Sequence, residues 1–306
     1  MTFSTVIKNE ISKLDSNKLE KISELSAVVR NSSVIDNDIK ISIENNAIAR
    51  RIYQTIKDLY EVSALITLRE RIRFSRGFIL KINKKQKEIL TDLAIINNNF
   101  ELLDVPKDYL INDEEQIRAY LRGLFISCGS VNDPKTSRYH LEFIVDTKNY
   151  ANFINDMLNS FNLNSKVIKR EKNYMVYIKE AEKISDYLRL IKAYNAVMYF
   201  EDIRIYRDHK NMTNRLNNCE QANVDKIFLT SSRQLKDIET LKKHDMLDLL
   251  DDKLKEVVEY RIKYPESSLQ ELSEIISSNT NNKITKSGLN HRFRKIKEMV
   301  MNIKDN

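Results

Sequence analysis

Cysteine is scarce in this 306-residue chain: Cys128 and Cys219 are the only two, far apart in sequence. No disulfide framework and no CxxC zinc spacing can be built from them, and a reducing cytosol is the expected setting. Glycine and proline are equally thin, at 4 and 3 residues, which excludes collagen-like, low-complexity and Gly-rich-linker chains. No stretch approaches eighteen uninterrupted apolar residues, and the N-terminal MTFSTVIKNEISK lacks the apolar run of a signal peptide. Secreted, metal-stapled and integral-membrane classes are therefore not expected. Neither GxxxxGK[ST] nor GxGxxG occurs, so no P-loop or dinucleotide site is expected, and no cofactor.

What is present points to two domains, since domains typically run to about 150 residues. Apolar residues make up 42% and charged residues 31%, the balance of a helix-rich globular protein. Lys and Arg number 51 against 44 Asp and Glu, a net charge of +7. That modest excess permits a nucleic-acid partner without requiring one.

The first two thirds contain an internal repeat. Leu25–Ser33 (LSAVVRNSS) and Leu121–Gly129 (LRGLFISCG) are both apolar helical segments ending in small polar residues. Each precedes an extended stretch, Val34 to Ile43 and Val131 to Val145. A helix follows, in which Ala49, Ile52, Ile56 and Leu59 correspond to Ala151, Ile154, Leu158 and Phe161, one helical face in both copies. A longer hairpin turn around Asn132-Asp133-Pro134-Lys135 accounts for the changed offset. Two β-rich runs and a short helix close each copy. The expected architecture is α+β: two αββαββα repeats forming one pseudo-twofold domain, then an all-α domain. The expected borders are 1–203 for the repeats, 204–224 for a basic linker and 225–306 for the helical domain.

Between Arg204 and Arg215 four cations (Arg204, Arg207, Lys210, Arg215) face one acid, Asp208, and the Asn and Thr after Asn211 weaken helix continuity. The final domain reads as helices. One runs from Ser231 to Leu241, opened by a Ser231-x-x-Gln234 capping box. A second spans Asp252 to about Lys263, with Leu254, Val258 and Ile262 inward. A third follows a Ser268-x-x-Glu271 box, with Leu269, Leu272, Ile275 and Ile276 inward. After a polar connection of about ten residues comes the last helix, with Ser287 as N-cap and Leu289, Phe293, Ile296 and Val300 as its buried stripe. Its outward face carries Asn290, His291, Arg294 and Lys295, flanked by Arg292 and Lys297, with Lys286 and Ser287 at its start. From Lys283 to Lys297 there are six Lys/Arg and no acid. A helix that reads a major groove needs this set, because Arg forks onto guanine, Asn pairs with adenine and flanking cations hold phosphates. Double-stranded DNA is the expected partner.

The repeat, with its Leu121-Arg122-Gly123-Leu124-Phe125 helix, resembles the LAGLIDADG homing-endonuclease fold. The resemblance implies two central helices packed side by side, with Ala27 and Gly123 allowing close approach, and a metal-binding carboxylate near the end of each. Those two positions fall here on Ser32 and Cys128, neither a hard anionic ligand for Mg²⁺. The nearest acids, Asp36, Asp38 and Asp133, lie beyond the helix ends. No metal and no catalytic residue is therefore expected. The same resemblance implies auxiliary DNA contacts from a basic sheet segment, Arg69, Arg71, Arg73 and Arg76, and the charge of the linker offers Arg207, Lys210 and Arg215 as further phosphate contacts.

A closer resemblance is to the WhiA family of bacterial regulators, a degenerate LAGLIDADG-like domain joined to a helix-turn-helix domain. It is carried by Glu44-Asn45-Asn46-Ala47, Arg118 to Phe125, Gly129 to Pro134, Phe200-Glu201-Asp202, Asn218-Cys219-Glu220 and Lys286 to Ile296. It implies a non-enzymatic DNA-binding regulator of cell division, chromosome segregation or sporulation, cytoplasmic and nucleoid-associated. Another regulatory protein is a further expected partner, through the N-terminal domain. The competing expectations are a metal-dependent endonuclease with displaced ligands and a protein-interaction scaffold.

Overall fold

The computed structural model describes residues 1–35, 38–70, 76–136, 138–280 and 283–304. The chain divides into two compact units, Met1–Arg207 and Asp208–Asn306.

In the first unit, α1 (Phe3–Ile11) precedes two copies of one pattern. The first copy is α2 (Lys18–Arg30), β1 (Ser33–Ile35), β2 (Asp38–Ile43), α3 (Asn46–Tyr60), β3 (Leu65–Glu70), β4 (Arg76–Ile82) and α4 (Gln86–Asp92). The second is α5 (Glu114–Cys128), β5 (Gly129–Val131), β6 (Leu141–Val145), α6 (Lys148–Ser160), β7 (Lys166–Arg170), β8 (Asn173–Ile178) and α7 (Ala181–Leu190). Each copy is αββαββα, as the repeat reading expects. The two four-stranded antiparallel sheets share one topology, β1-β2-β4-β3 and β5-β6-β8-β7. The longer connection expected near Asn132 spans residues 132–140.

Local chemistry sets the helix starts. The Asn17, Asn45 and Thr147 side chains accept from backbone N–H groups three residues on, and Asp113 forms a full capping box with Gln116. The buried face of α3 is Ala49, Ile52 and Ile56, and that of α6 is Ala151, Ile154 and Leu158. At the centre α2 and α5 are buried almost all round, from Ser23 to Val29 and from Ala119 to Ile126. A Cβ at Gly123 would collide with the Glu24 carbonyl oxygen and lie 2.9 Å from the Ala27 Cβ. The small residues at 27 and 123 thus set how closely the two backbones approach.

The expected break after Asn211 is not found. A single helix, α8, runs from Tyr194 to Lys243. The Glu10 carboxylate accepts from the Asn195 and Ala196 N–H groups at its start, at 2.7 and 3.0 Å. Val197 and Phe200 are buried in the first unit, and Ile238 and Leu241 in the second. Anchored turns at both ends meet the nucleation cost, so the weak propensity of Asn, a few tenths of a kcal/mol per residue, does not interrupt the helix. The Ser231 capping box is also absent: Ser231 lies inside α8 and its hydroxyl donates to the Pro265 carbonyl.

Candidate nucleic-acid interface

The second unit adds α9 (Asp252–Lys263), α10 (Leu269–Asn279) and α11 (Lys286–Lys304) to the last turns of α8. Asp251 caps α9, its carboxylate accepting from Leu254 N–H at 2.8 Å. The Ser268–Glu271 box opens α10 as the sequence indicates, with bonds of 3.2 and 2.7 Å. The connection before α11 is shorter than expected. Helix α10 continues to Asn279, so only residues 280–285 intervene. The Ser277 hydroxyl ties the connection down, accepting from Ile284 N–H at 3.1 Å. The N-cap of α11 is Thr285 rather than Ser287. The Thr285 hydroxyl accepts from Gly288 N–H at 3.2 Å, which places Ser287 inside the first turn.

Leu289, Phe293, Ile296 and Val300 form the buried stripe of α11, packed among Leu254, Val257, Leu272 and Ile276. On α9 the inward set differs from the expected one. Ile262 is 55% exposed, and the neighbouring Arg261 is buried instead, 1% exposed. The Arg261 Nη1 donates to the Ser267 and Tyr264 carbonyls at 2.7 and 3.3 Å, and its guanidinium lies over the Phe293 ring at 5.5 Å. Burial pushes its pKa below the usual arginine value.

With the stripe held inward, Lys286, Ser287, Asn290, His291, Arg294, Lys295 and Lys297 are all exposed, and Glu298 ends the acid-free run. They are not equivalent. Asn290, Arg294 and Lys297 line a shallow groove shared with Thr230, Arg233 and Gln234 of α8. Helix periodicity puts His291 and Lys295 on the other side of the outward arc. Arg292 is only half-exposed: its Nη1 donates to the Glu256 carboxylate and the Lys253 carbonyl, both at 3.2 Å. It fastens α11 to α9.

The auxiliary cations separate likewise. The Arg207 guanidinium lies over the Tyr139 ring at 4.6 Å and donates to the Pro134 and Thr136 carbonyls at 2.7 and 2.5 Å. Arg204 pairs with Glu201 at 2.8 Å. Lys210 and Arg215 are exposed on α8. Arg69 lies in β3 and Arg76 opens β4. Arg71 and Arg73 lie outside the described residues.

At the ends of the central helices the donor chemistry does not fit a divalent metal. The Ser32 hydroxyl donates to the Val29 carbonyl at 2.5 Å, and the Cys128 thiol to the Leu124 carbonyl at 3.4 Å. Burial pushes the Cys128 pKa up to about 12, so it is a neutral thiol at physiological pH rather than a thiolate ligand. Asp133 acts as a turn residue, its carboxylate accepting from Lys135 N–H at 2.9 Å. Asp38 opens β2, and Asp36 lies outside the described residues. Among the described residues no group of three or more His, Cys, Asp or Glu side chains is placed to hold a metal ion.

Sequence reasoning missed a buried charge network between the copies. Arg122 of α5 is 1% exposed and donates to Glu20 at 3.1 Å and Glu24 at 3.2 Å, both on α2. Arg51 of α3 holds the same Glu24 through Nε at 2.5 Å and Nη2 at 2.9 Å. The only signal was two acids at i, i+4 on a helix otherwise destined for burial.

Three family models match the chain: the WhiA N-terminal LAGLIDADG-like domain over residues 18–96, the WhiA LAGLIDADG-like domain over 117–210 and the WhiA C-terminal HTH domain over 213–300. A probable cell division protein WhiA from Bacillus cytotoxicus is 41% identical over 307 residues, covering 98% of this chain and 96% of that protein. The similarly described protein of Staphylococcus haemolyticus is 39% identical over 311 residues, covering 99% and 98%. A full-length WhiA crystal structure from Thermatoga maritima superimposes with a TM-score of 0.59 at 24% identity, covering 99% of both chains, a likeness of fold.

Proposed function

This chain belongs to the WhiA family, and on that premise we propose that it is a non-enzymatic regulator that binds double-stranded DNA through α11. One observation carries the reading. A helix whose apolar stripe is fully anchored exposes Asn290, His291, Arg294, Lys295 and Lys297, and no acid occurs from Lys283 to Lys297. Arg294 and Asn290 supply groups able to read base edges, and Lys286, Lys295 and Lys297 supply phosphate contacts. Lys210 and Arg215 are auxiliary backbone contacts. Arg292 is left out, because it serves α9. The curated relatives are described as cell division proteins, which supports a role in division, chromosome segregation or sporulation-linked transcription, at the nucleoid in the cytoplasm. A second regulatory protein on the N-terminal unit belongs to the same proposal.

Gel-shift titration tests the interface. Arg294→Ala and Lys295→Ala each remove an exposed cation without touching the core, and the double variant should bind a duplex at least about tenfold more weakly, roughly 1.4 kcal/mol. Unchanged binding of both single variants would remove α11 from the assignment. If about five phosphates are neutralised, log affinity should fall with log salt at a slope of roughly −4.5.

The non-enzymatic part has its own check. Supercoiled plasmid incubated with the purified chain and Mg²⁺ or Mn²⁺ should stay supercoiled, since a hydroxyl and a neutral thiol offer no anionic seat for either ion. Nicking that disappears in Asp133→Ala would reinstate the endonuclease alternative.

A further inference from the structure

Beside the proposed DNA-reading helix, the second unit holds a cavity of about 500 Å³. Its walls are Lys226 and Ile227 of α8, Arg261 of α9, Ser267 and Leu269 at the start of α10, and Lys286 of α11. Three of these are cations, and among the described residues no carboxylate contributes to the lining.

Two independent features of this cavity call for an anion. Helix α10 directs its N-terminal turn at it. The capping box uses the Ser268 and Glu271 N–H groups, which leaves those of Leu269 and Gln270 for an outside acceptor. The buried Arg261 is the second feature. Its Nε is sealed from solvent and has no hydrogen-bond partner, and among the described residues no carboxylate pairs with it. A guanidinium buried against two carbonyls and the Phe293 ring, with no carboxylate beside it, retains an uncompensated charge, and such charges are ordinarily paired. Free helix-turn donors, a desolvated cation and two lysines form a seat for a tetrahedral oxyanion.

We propose that this cavity is a phosphate-binding site, in which Lys226, Lys286 and the N-terminal turn of α10 hold a phosphate group over the buried Arg261. The phosphate comes either from the backbone of a duplex lying on α11 or from a free phosphorylated small molecule. The backbone source rests on the DNA-binding reading above, and the free source does not. Because Lys226 belongs to α8 rather than to the three terminal helices, the site makes the end of the long helix part of the binding surface.

Amide resonances of the ¹⁵N-labelled full chain test this, with inorganic phosphate and a short duplex titrated separately at constant ionic strength. Lys226→Ser is the informative variant, because Lys226 is exposed on α8 and its loss leaves the core intact. Phosphate that moves the Leu269 and Gln270 amides in the parent chain and not in Lys226→Ser supports the proposal with a free source. Duplex that moves them where phosphate does not supports the backbone source. In that case Lys226→Ser should bind the duplex about three- to tenfold more weakly, with a salt slope shallower by about 0.9, the loss of one phosphate contact. If neither ligand moves the two amides, or if their shifts survive Lys226→Ser, the proposal is overturned. A chain that binds no duplex at all defeats the DNA reading alone, and the phosphate titration still decides the cavity.

Discussion

Glu24→Ala should destabilise the N-terminal unit by about 3–5 kcal/mol, the range found when one partner of a buried ion pair is removed. Glu24 is 2% exposed and accepts from two guanidiniums at once, Arg122 at 3.2 Å and Arg51 at 2.5 and 2.9 Å. Burial works against the Arg51 charge, but its bond to Glu24, with the charges of Glu24, Asp15 and Glu20, holds its pKa above the ordinary arginine value. Without Glu24, Glu20 alone stays paired with Arg122, and Arg51 keeps only the more distant charges of Asp15 and Glu20. Arg51 keeps the Leu14 and Ser12 carbonyls and the Ser16 hydroxyl, at 2.5, 3.3 and 3.0 Å, which hydrogen-bond a guanidinium without neutralising it. The loss would be a large fraction of the roughly 5–15 kcal/mol by which such proteins are stable. Urea unfolding followed by near-ultraviolet circular dichroism reports it selectively, because all but Tyr260 and Tyr264 of the 14 tyrosines lie in the first unit. With a slope near 2 kcal/mol/M the midpoint should fall by about 2 M. A fall of less than 0.5 M would mean that the network is solvated and of little weight.

Gly123→Ala should be nearly as damaging although it adds one methyl group. In most helices this exchange is worth up to about 1 kcal/mol in favour of alanine. Here the new Cβ would collide with the Glu24 carbonyl oxygen and press on the Ala27 Cβ, and a backbone oxygen cannot swing aside as a side-chain tip can. The helices must move apart, opening contacts along their whole interface and lengthening the bonds of Arg122 to Glu24 and Glu20. The expected net loss is about 2–3 kcal/mol, at the upper end of ordinary overpacking, visible as a lower Tm of the tyrosine signal. Glu24→Ala and Gly123→Ala share the α2–α5 contact, so their effects should fall short of additive when combined. A Gly123→Ala chain at least as stable as the parent would show that the helices slide freely past one another.

The proposed interface was largely legible in the sequence, and its limits have physical reasons. The stripe of Leu289, Phe293, Ile296 and Val300 follows from helix periodicity, and exposure of the remaining positions follows from the stripe. Periodicity could not tell that Arg292 meets Glu256, since that acid lies on another helix. Nor could it separate Arg207, clasped by the loop carbonyls at Pro134 and Thr136, from the exposed Lys210. The capping box at Ser268 was correct, whereas the same pattern at Ser231 failed. A capping box needs a chain that enters from outside the helix, and at Ser231 the chain is already helical.

By itself the sequence determined the order αββαββα in both copies, the extent of α9, the capped start of α10 and the inward stripe of α11. These depend on side-chain period and end-capping within a few residues of one another. Tertiary structure alone decided that α8 runs unbroken through an Asn-rich stretch, that Arg261 rather than Ile262 turns inward, and that Glu24 joins Arg51 to Arg122. Each of those outcomes depends on packing against another part of the fold, and burial energies of several kcal/mol there outweigh local preferences of a few tenths.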